Sequence, residues 1–212
     1  MKLPLRYNVR SVVQRKGRSL LTAAGVAVVI FVSVMMLGLS RGLIESTKGT
    51  ASPDNVMVLS KGAEAMEFSA IDRTDFQLLR SSEFIKVDGG EPLASPEAFL
   101  GTFIGFPDGG VAGERRGGIV RGVLPVALKV HDRVRMVAGS PPRQGFQVAV
   151  GKLVATKLGV PEAALAVGKT ITFEGQRWTV VGVFEAQGTL LESEIWGHLD
   201  DVYAASKRTD YS

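Results

Sequence analysis

The sequence contains no cysteine and only two histidines, His131 and His198, which stand far apart in the chain. The absence of cysteine excludes disulfides, thiolate zinc sites and cysteine nucleophiles. With so few histidines, a zinc site would need carboxylates for most of its ligands. We therefore expect both histidines to be ordinary surface or core residues, and no metal site is predicted.

A nucleotide-binding motif is also missing. Gly168-Lys169-Thr170 looks like the end of a phosphate-binding loop, but that motif requires glycine where this chain has Ala163. The motif should also open a helix, whereas the residues that follow, Ile171–Phe173 and Gln176–Val181, have the pattern of a β-hairpin. Gly168 is therefore interpreted as a turn residue.

Two pairs of carboxylates were considered as acid/base groups: Asp200 with Asp201, and Glu192 with Glu194. Neither pair is accompanied by a nucleophilic serine motif or metal-ligand spacing. We interpret both pairs as solvated turn residues. The sequence thus predicts a protein that is not an enzyme, binds no cofactor and acts through position, movement or binding.

Two tryptophans differ in how clearly their surroundings can be predicted. Trp178 lies in an alternating strand pattern and is predicted to be a core residue. Trp196 follows the acidic stretch Glu192–Glu194, and the pattern leaves open whether it is buried or an exposed contact.

Positive charge is concentrated at the N-terminus. The first 19 residues carry six basic and no acidic groups, whereas the remaining 193 carry 19 basic and 21 acidic groups, a net charge of −2. Apolar residues recur between the basic ones at helical spacing, which is typical of an amphipathic helix on a membrane surface. Lipid headgroups are the expected partner. Nucleic acid is not, because Tyr7 is the only aromatic here and an apolar stretch follows directly.

That stretch, Leu20–Leu39, has 20 uncharged residues with only Thr22 and Ser33 as polar interruptions. As a helix it is about 30 Å long, the thickness of a bilayer core. A buried core helix and a cleaved signal peptide are the alternatives, but a signal peptide has a shorter apolar region and a small-residue cleavage site. We expect residues 1–19 to be a cytoplasmic basic segment, 20–40 a transmembrane helix and 41–212 an extracytoplasmic domain.

Orientation follows from the basic residues that precede this helix, since cytoplasmic flanks are enriched in lysine and arginine. The residues predicted to hold the N-terminus inside are Arg6, Arg10, Arg15, Lys16 and Arg18. Small residues four positions apart let a second helix approach closely, although such pairs are common in membrane helices. The candidate packing residues are Ala23, Ala27, Gly38 and Gly42.

After the span, helical character is expected to persist to about Lys48, and the remaining pattern mixes many strands with few helices. This pattern favours an α+β domain, with two lobes as an option, over a doubly wound parallel sheet. The expected strands are Asn55–Leu59, Phe84–Val87, Phe99–Phe106, Arg133–Val137, Gln147–Val150, Thr170–Glu174 and Trp178–Phe184. Three short helices are expected: one that starts at Asp72, one at Lys152–Leu158 and one at Leu199–Ser206. Turns are expected at Asp88–Gly90, Asp108–Gly110 and Gly117–Gly118.

Several stretches in this order resemble the N-terminal portion of the permeases of MacB/FtsX-type ABC transporters. The basic run Arg15–Thr22 looks like the entry to their first span, and Arg121–Pro125 looks like the entry to the second lobe of their periplasmic domain. Val150–Ala155, Gly168–Ile171 and Trp178–Phe184 look like the run that follows it. The resemblance covers roughly residues 5–205.

The resemblance implies a two-lobed periplasmic domain, one lobe split βαβ-like and one mostly β, in the inner membrane of a bacterium. It implies a cytosolic ABC ATPase that binds ATP and Mg²⁺, a second or related permease copy and, as a further candidate, a periplasmic adaptor. Such permeases export or extract lipids, lipoproteins, peptides or drugs. They normally carry three further spans, so we expect this chain, which stops at Ser212, to be a fragment, a split gene product or a degenerate relative.

A different function remains an alternative. A single-pass anchored scaffold or adaptor that binds an extracytoplasmic partner, without an ATPase, would show the same anchor and the same lack of catalytic motifs. The two hypotheses differ in whether an ATPase associates with the chain.

Overall fold

The computed structural model describes residues 16–50, 54–107, 113–207 and 210–211. The chain divides into two compact units, residues 1–46 and residues 47–212. The expected fold class, an α+β domain preceded by one N-terminal apolar helix, is confirmed.

The first element is helix α1, Lys16–Thr50, which is 35 residues long. No proline or charged residue interrupts it between Ser19 and Ser40, and it ends shortly before Pro53, close to the predicted position. The two hydroxyl groups in its apolar part donate hydrogen bonds to carbonyls one turn back, Thr22 to Arg18 at 3.0 Å and Ser33 to Val29 at 2.8 Å. These bonds remove the cost of placing the hydroxyls in an apolar medium.

The remaining elements are short. The helices are α2 Arg73–Arg80, α3 Ala127–Val130, α4 Val154–Leu158 and α5 Leu199–Ser206, with 3₁₀ turns at Met66–Phe68, Glu162–Leu165 and Leu190–Ser193. The strands are β1 Val87–Asp88, β2 Glu91–Pro92, β3 Ala98–Gly105, β4 Arg115–Val123, β5 Arg135–Gly139, β6 Gln147–Gly151, β7 Thr170–Phe173, β8 Gln176–Glu185 and β9 Glu194–His198.

Seven of the strands form one sheet that closes on itself. The order is β5-β8-β6-β9-β4-β3-β7, and β7 also pairs with the first half of β8, so that six strands make a ring with β5 attached outside it. Pairs β4–β9 and β6–β8 are parallel and the others antiparallel. The ring closes where Gly105 of β3 pairs with Thr172 of β7. Glycine fits this position because it has no Cβ, and a Cβ here would lie only 2.5 Å from the Thr172 hydroxyl oxygen.

The main hydrophobic core takes buried side chains from all six strands of the ring and from helices α4 and α5. Its sheet residues include Ile104, Val120, Val148, Ile171, Trp178, Val180 and Ile195. A smaller cluster on alternate strand positions contains Ala149, Phe184 and Trp196 together with residues of α3 and its flanks. Both tryptophans are therefore core residues, which confirms the prediction for Trp178 and settles the open one for Trp196. We call residues 98–206 the sheet core.

Residues 54–97, which we call the strap, differ from the sheet core in having almost no buried side chains. Only Ser69 and Pro96 are buried among them. Helix α2 begins at the predicted place because the Asp72 carboxylate accepts a hydrogen bond from the amide of Thr74. The β1–β2 hairpin turns at Gly89 and Gly90, both with positive φ as the two-residue turn requires.

Several element predictions were wrong. Asn55–Leu59 has no regular secondary structure and joins no strand among the described residues, and of Phe84–Val87 only Val87 belongs to a strand. Gly117–Gly118 lies inside β4 rather than in a turn. The packing explains the glycine at position 118, because a Cβ there would lie 2.9 Å from the Ile104 side chain and 3.3 Å from that of Leu158. Strands β4 and β9 were not predicted. The turn expected at 108–110 falls outside the described residues.

Candidate functional site

Helix α1 is the part of the described chain that is long and apolar enough to cross a membrane. The large apolar side chains of its central region are more than half exposed, as lipid-facing side chains would be. Lys16 and Arg18 lie in its first turn, whereas Arg6, Arg10 and Arg15 lie outside the described residues. Their predicted effect on orientation stays a prediction.

The four predicted packing residues lie on one side of α1. At 100° per residue, Ala23, Ala27, Gly38 and Gly42 fall within an arc of about 100°. All four are exposed, and no heavy atom lies within 4 Å of a Cβ placed at either glycine. This side could accept a second helix, and whether it does stays a prediction.

The sheet core contains a buried charge cluster that the sequence did not predict. Arg121 on β4, of which 4% is exposed, donates two parallel hydrogen bonds to Glu194 on β9: Nε to Oε2 at 2.6 Å and Nη2 to Oε1 at 2.7 Å. Its Nη1 donates to Glu97 at 2.6 Å. His131, at the end of α3, contacts the other oxygen of Glu97 through Nε2 at 2.7 Å. The Arg121 guanidinium therefore contacts two carboxylates, and one of them, Glu97, also contacts the His131 imidazole.

Aromatic side chains enclose this charge cluster. The Arg121 guanidinium lies 5.2 Å from the ring centre of Phe99, within the range of a cation–π interaction. Trp196 donates its indole N–H to Glu194 at 3.2 Å, and its ring lies 5.4 Å from that of His131. Because Arg121 and Trp196 are register partners on parallel strands, the sheet itself places them side by side.

The charges in the cluster stabilise one another. Burial alone would raise the pKa of Glu97, but the positive charge of Arg121 and the contact with His131 outweigh it and lower that pKa from its ordinary 4.5 to about 2. Burial would lower the pKa of Arg121, whereas Glu194 and Glu97 together raise it. Both groups are therefore charged at neutral pH. Every hydrogen-bonding atom of the Glu97 and Glu194 carboxylates has a partner, so the cluster is suited to holding segments together.

Three polar contacts join the strap to helix α3 and its flanks. Asn55 donates from Nδ2 to the carbonyl of Val130 at 2.6 Å. Lys129 lies 3.2 Å from Asp88 and 3.4 Å from Glu91 on the surface, and the bond to Asp88 raises the pKa of Lys129. The third contact is the pair of Glu97 and His131. Helix α3 is thus one part of the sheet core that the strap contacts; Glu97 and Met66 of the strap also contact Arg121 on β4.

The interpretation as solvated turn residues was wrong for Glu192 and Glu194, which are buried, whereas 56% of the Asp200 side chain is exposed. Glu192 is buried and accepts hydrogen bonds from the amides of Ala186 and Gly188 at 2.7 and 2.9 Å. Asp201 accepts from the amides of Gly145 and Phe146, both at 2.9 Å.

The other two members also have partners. Asp200 accepts a hydrogen bond from the Gln144 side chain at 2.9 Å. Glu194 belongs to the charge cluster. These acids stabilise loops and strands, and only the long-range topology places their partners beside them. A signal for the cluster was present in the sequence as a lone arginine, Arg121, between apolar residues of β4.

Neither histidine is arranged with other residues as a metal site. Within the described ranges there is no group of three or more histidine, aspartate or glutamate side chains placed to hold an ion. His198 instead precedes helix α5, where its Nδ1 accepts a hydrogen bond from the amide of Asp200 at 3.4 Å.

Comparison with known proteins gives a consistent answer. A family model described as the MacB-like periplasmic core domain matches residues 19–210. Among solved structures, the chain is similar to the extracellular domain of the noncanonic ABC-type transporter YknZ from Gram-positive bacteria. The sequence identity is 17%, the TM-score is 0.51, and the match covers 68% of this chain and 70% of that one.

A second similar structure is the periplasmic region of MacB from Actinobacillus actinomycetemcomitans. The identity is 11% and the TM-score 0.49, and the match covers 66% of this chain and 61% of that one. No curated protein sequence matches the chain. At these identities the likeness to solved structures shows the fold alone.

Proposed function

Because this chain belongs to the MacB-like periplasmic core domain family, we propose that it is a permease subunit of an ABC transporter, or the N-terminal portion of one. In this proposal α1 crosses the inner membrane of a bacterium with the N-terminus in the cytoplasm. Residues 41–212 then lie in the periplasm. The observation that carries the proposal is the fusion of an apolar helix of spanning length directly to a domain of this family.

The chain is proposed to convert movement of α1 into movement of its extracytoplasmic domain. A cytosolic ABC ATPase would bind ATP and Mg²⁺ and hydrolyse the nucleotide, so this subunit needs neither a catalytic site nor a cofactor of its own. A second copy or a related permease would complete the transporter, and a periplasmic adaptor is a further candidate partner. The movement would export or extract lipids, lipoproteins, peptides or drugs.

Orientation can be tested with single cysteines, because the native chain has none. Phe84 is 89% exposed and is a suitable site for the extracytoplasmic domain, while Lys2 serves for the N-terminal segment. In spheroplasts, a membrane-impermeant maleimide should label Phe84→Cys at once and Lys2→Cys only after lysis. The opposite pattern would reject the proposed topology.

The basic residues before α1 provide a matched variant. Reversing their charge should weaken the orientation bias, so that a fraction of Lys2→Cys becomes accessible from outside. The residues to be changed to Glu are Arg6, Arg10, Arg15, Lys16 and Arg18. Unchanged labelling of both cysteines would show that these residues do not set the orientation.

Association with an ATPase separates the permease from an anchored scaffold. The full-length protein should be extracted from its native cells in mild detergent, purified by a tag, and assayed for MgATP hydrolysis that is sensitive to vanadate. A variant with α1 replaced by an unrelated membrane helix is the control. The permease hypothesis predicts copurifying activity that the control loses, and absence of activity from the native protein would favour the scaffold.

A further inference from the structure

The strap and the sheet core are held together in different ways. The sheet core buries the main hydrophobic cluster, whereas the strap leaves eight large apolar side chains exposed and fully buries only Ser69 and Pro96. The exposed apolar residues of the strap are Val56, Met57, Val58, Phe68, Leu78, Leu79, Phe84 and Val87. A segment with little apolar burial opens at a lower free energy than a packed core does.

The contacts that hold the strap against α3 are polar and few in number. Asn55 bonds the Val130 carbonyl at the start of the strap, and Glu97 contacts His131 at its end. At the other edge of the strap, Ile71 exchanges backbone hydrogen bonds with Tyr211, whose ring also packs on Phe76. None of these contacts is a pairing between strands of the ring, so the set can break while the ring stays intact.

Arg121 is placed so that such opening leaves no unpaired buried cation. Its bidentate partner Glu194 lies on the neighbouring strand of the sheet core and stays with it. Its second partner, Glu97, is the last residue of the strap. If the strap leaves, Arg121 loses one carboxylate but keeps the other. If Glu97 were the single carboxylate partner of Arg121, opening of the strap would be far more costly, since it would leave the buried charge of Arg121 uncompensated.

We propose that the strap opens from the sheet core as a unit while the sheet core remains folded, and that Glu97 and Asn55 are the latch that controls this opening at helix α3. Helix α1 ends at Thr50, four residues before the strap begins, so the strap is the first segment to receive a movement of α1. Its use as a regulated relay rests on the proposed permease function, whereas the opening itself can be measured without an ATPase.

Thiol labelling of the cysteine-free chain tests the opening directly. Ser69→Cys places a buried thiol in the strap, and Ala155→Cys places one in helix α4 of the sheet core. In the full-length protein held in detergent, each thiol reacts with a small reagent such as an aromatic disulfide only when its surroundings open. We expect Ser69→Cys to react at least about tenfold faster than Ala155→Cys, as a locally opening segment would.

The latch is tested by adding Glu97→Gln to each cysteine variant. Loss of a charged hydrogen-bond partner should speed labelling of Ser69→Cys by about ten- to a hundredfold. Labelling of Ala155→Cys should remain at least about tenfold slower than that of Ser69→Cys in the same Glu97→Gln background, because the sheet core stays folded when the strap opens. The matched control is Glu174→Gln, which removes an exposed carboxylate that accepts a hydrogen bond from Thr102 within the sheet core.

A second variant keeps the test decisive if Glu97→Gln fails to fold. Asn55→Ala removes only the exposed bond to Val130 and should speed labelling of Ser69→Cys by about three- to tenfold. Equal labelling rates at Ser69→Cys and Ala155→Cys would overturn the proposal, since the strap would then open only when the whole domain unfolds. Unchanged labelling of Ser69→Cys in both latch variants would overturn the latch. A missing ATPase partner would leave these rates unchanged, so the two proposals fail separately.

Discussion

The strap and the sheet core follow each other directly in sequence but obey different physical rules. In the sheet core, strands far apart in the chain pair into a ring, and the buried side chains come from every strand. In the strap, the helix, turn and hairpin are all local, and side chains of the same apolar types remain in solvent. Stability in the sheet core therefore comes from long-range packing, whereas the strap is held by a small number of mostly polar contacts.

The largest expected difference between the two regions concerns their aromatic residues. Trp178→Ala removes a fully buried ring that stacks on Phe173, and should lower the free energy of unfolding by about 3–5 kcal/mol. Phe84→Ala in the strap removes a ring that is almost wholly exposed, and should change it by less than about 0.5 kcal/mol. Urea unfolding of the unit formed by residues 47–212, followed by circular dichroism, measures both. Similar losses of unfolding free energy in the two variants would show that the strap and the sheet core do not differ in this way.

Acid should weaken the boundary between the two regions. The pKa of Glu97 is about 2 in the folded protein and 4.5 ordinarily, so its stabilising charge is fully present above pH 4.5 and is lost as the pH falls toward 2. The loss is up to about 3 kcal/mol. Between pH 6 and pH 2.5, unfolding stability should therefore fall further for the native protein than for Glu97→Gln. Parallel pH profiles would show that Glu97 does not carry this charge effect.

A smaller effect is expected within the sheet core at Asp201. Asp201→Ala leaves the amides of Gly145 and Phe146 without their acceptor, and Phe146 holds a positive φ of 56° at this point. The free energy of unfolding should fall by about 1–2 kcal/mol, and the six-stranded ring of the sheet should stay intact. Asp200→Ala is the control because its bond to Gln144 is exposed, and it should cost less. Urea unfolding distinguishes the pair, and a greater loss at Asp200 would contradict the assignment.

The smallest effect should stay inside the strap. Gly89 has a φ of +58° in the β1–β2 turn with no atom within 4 Å of a Cβ, so Gly89→Ala strains the backbone without a clash. We expect a local cost of about 1 kcal/mol, seen as roughly fivefold faster hydrogen exchange at the strap amides. Exchange in the sheet core should be unchanged. Faster exchange throughout would show that the two regions open together.

Local signals allowed much of the fold to be predicted. The apolar run gave helix α1, Asp72 marked the start of α2, and Asp88–Gly90 gave the hairpin turn because glycine accepts positive φ. Alternating residues gave β8, the longest strand of the ring. Each of these depends on residues that are neighbours in the chain.

Elements that depend on distant partners could not be predicted in the same way. Strand β4 contains Gly117 and Gly118, which suggest a turn until Ile104 and Leu158 are seen to fill the space beside Gly118. Strand β9 begins with Glu194, whose charge suggested a solvated turn until Arg121 is placed next to it by the parallel pairing of β4 and β9. The charge cluster therefore becomes visible only when the topology is known.

The ring also determines when this protein can finish folding. Strand β4 pairs with β9 through Ile119 and Glu194, which are 75 positions apart (194 − 119), and β3 meets β7 through Gly105 and Thr172. Pairings over such separations make folding slow, on the order of milliseconds to seconds. During synthesis, strands β3 and β4 can pair with each other, but they lack their other partners, β7 and β9, until residue 198 has been made. We expect this interval to be when the nascent chain is most exposed to aggregation and most in need of a chaperone.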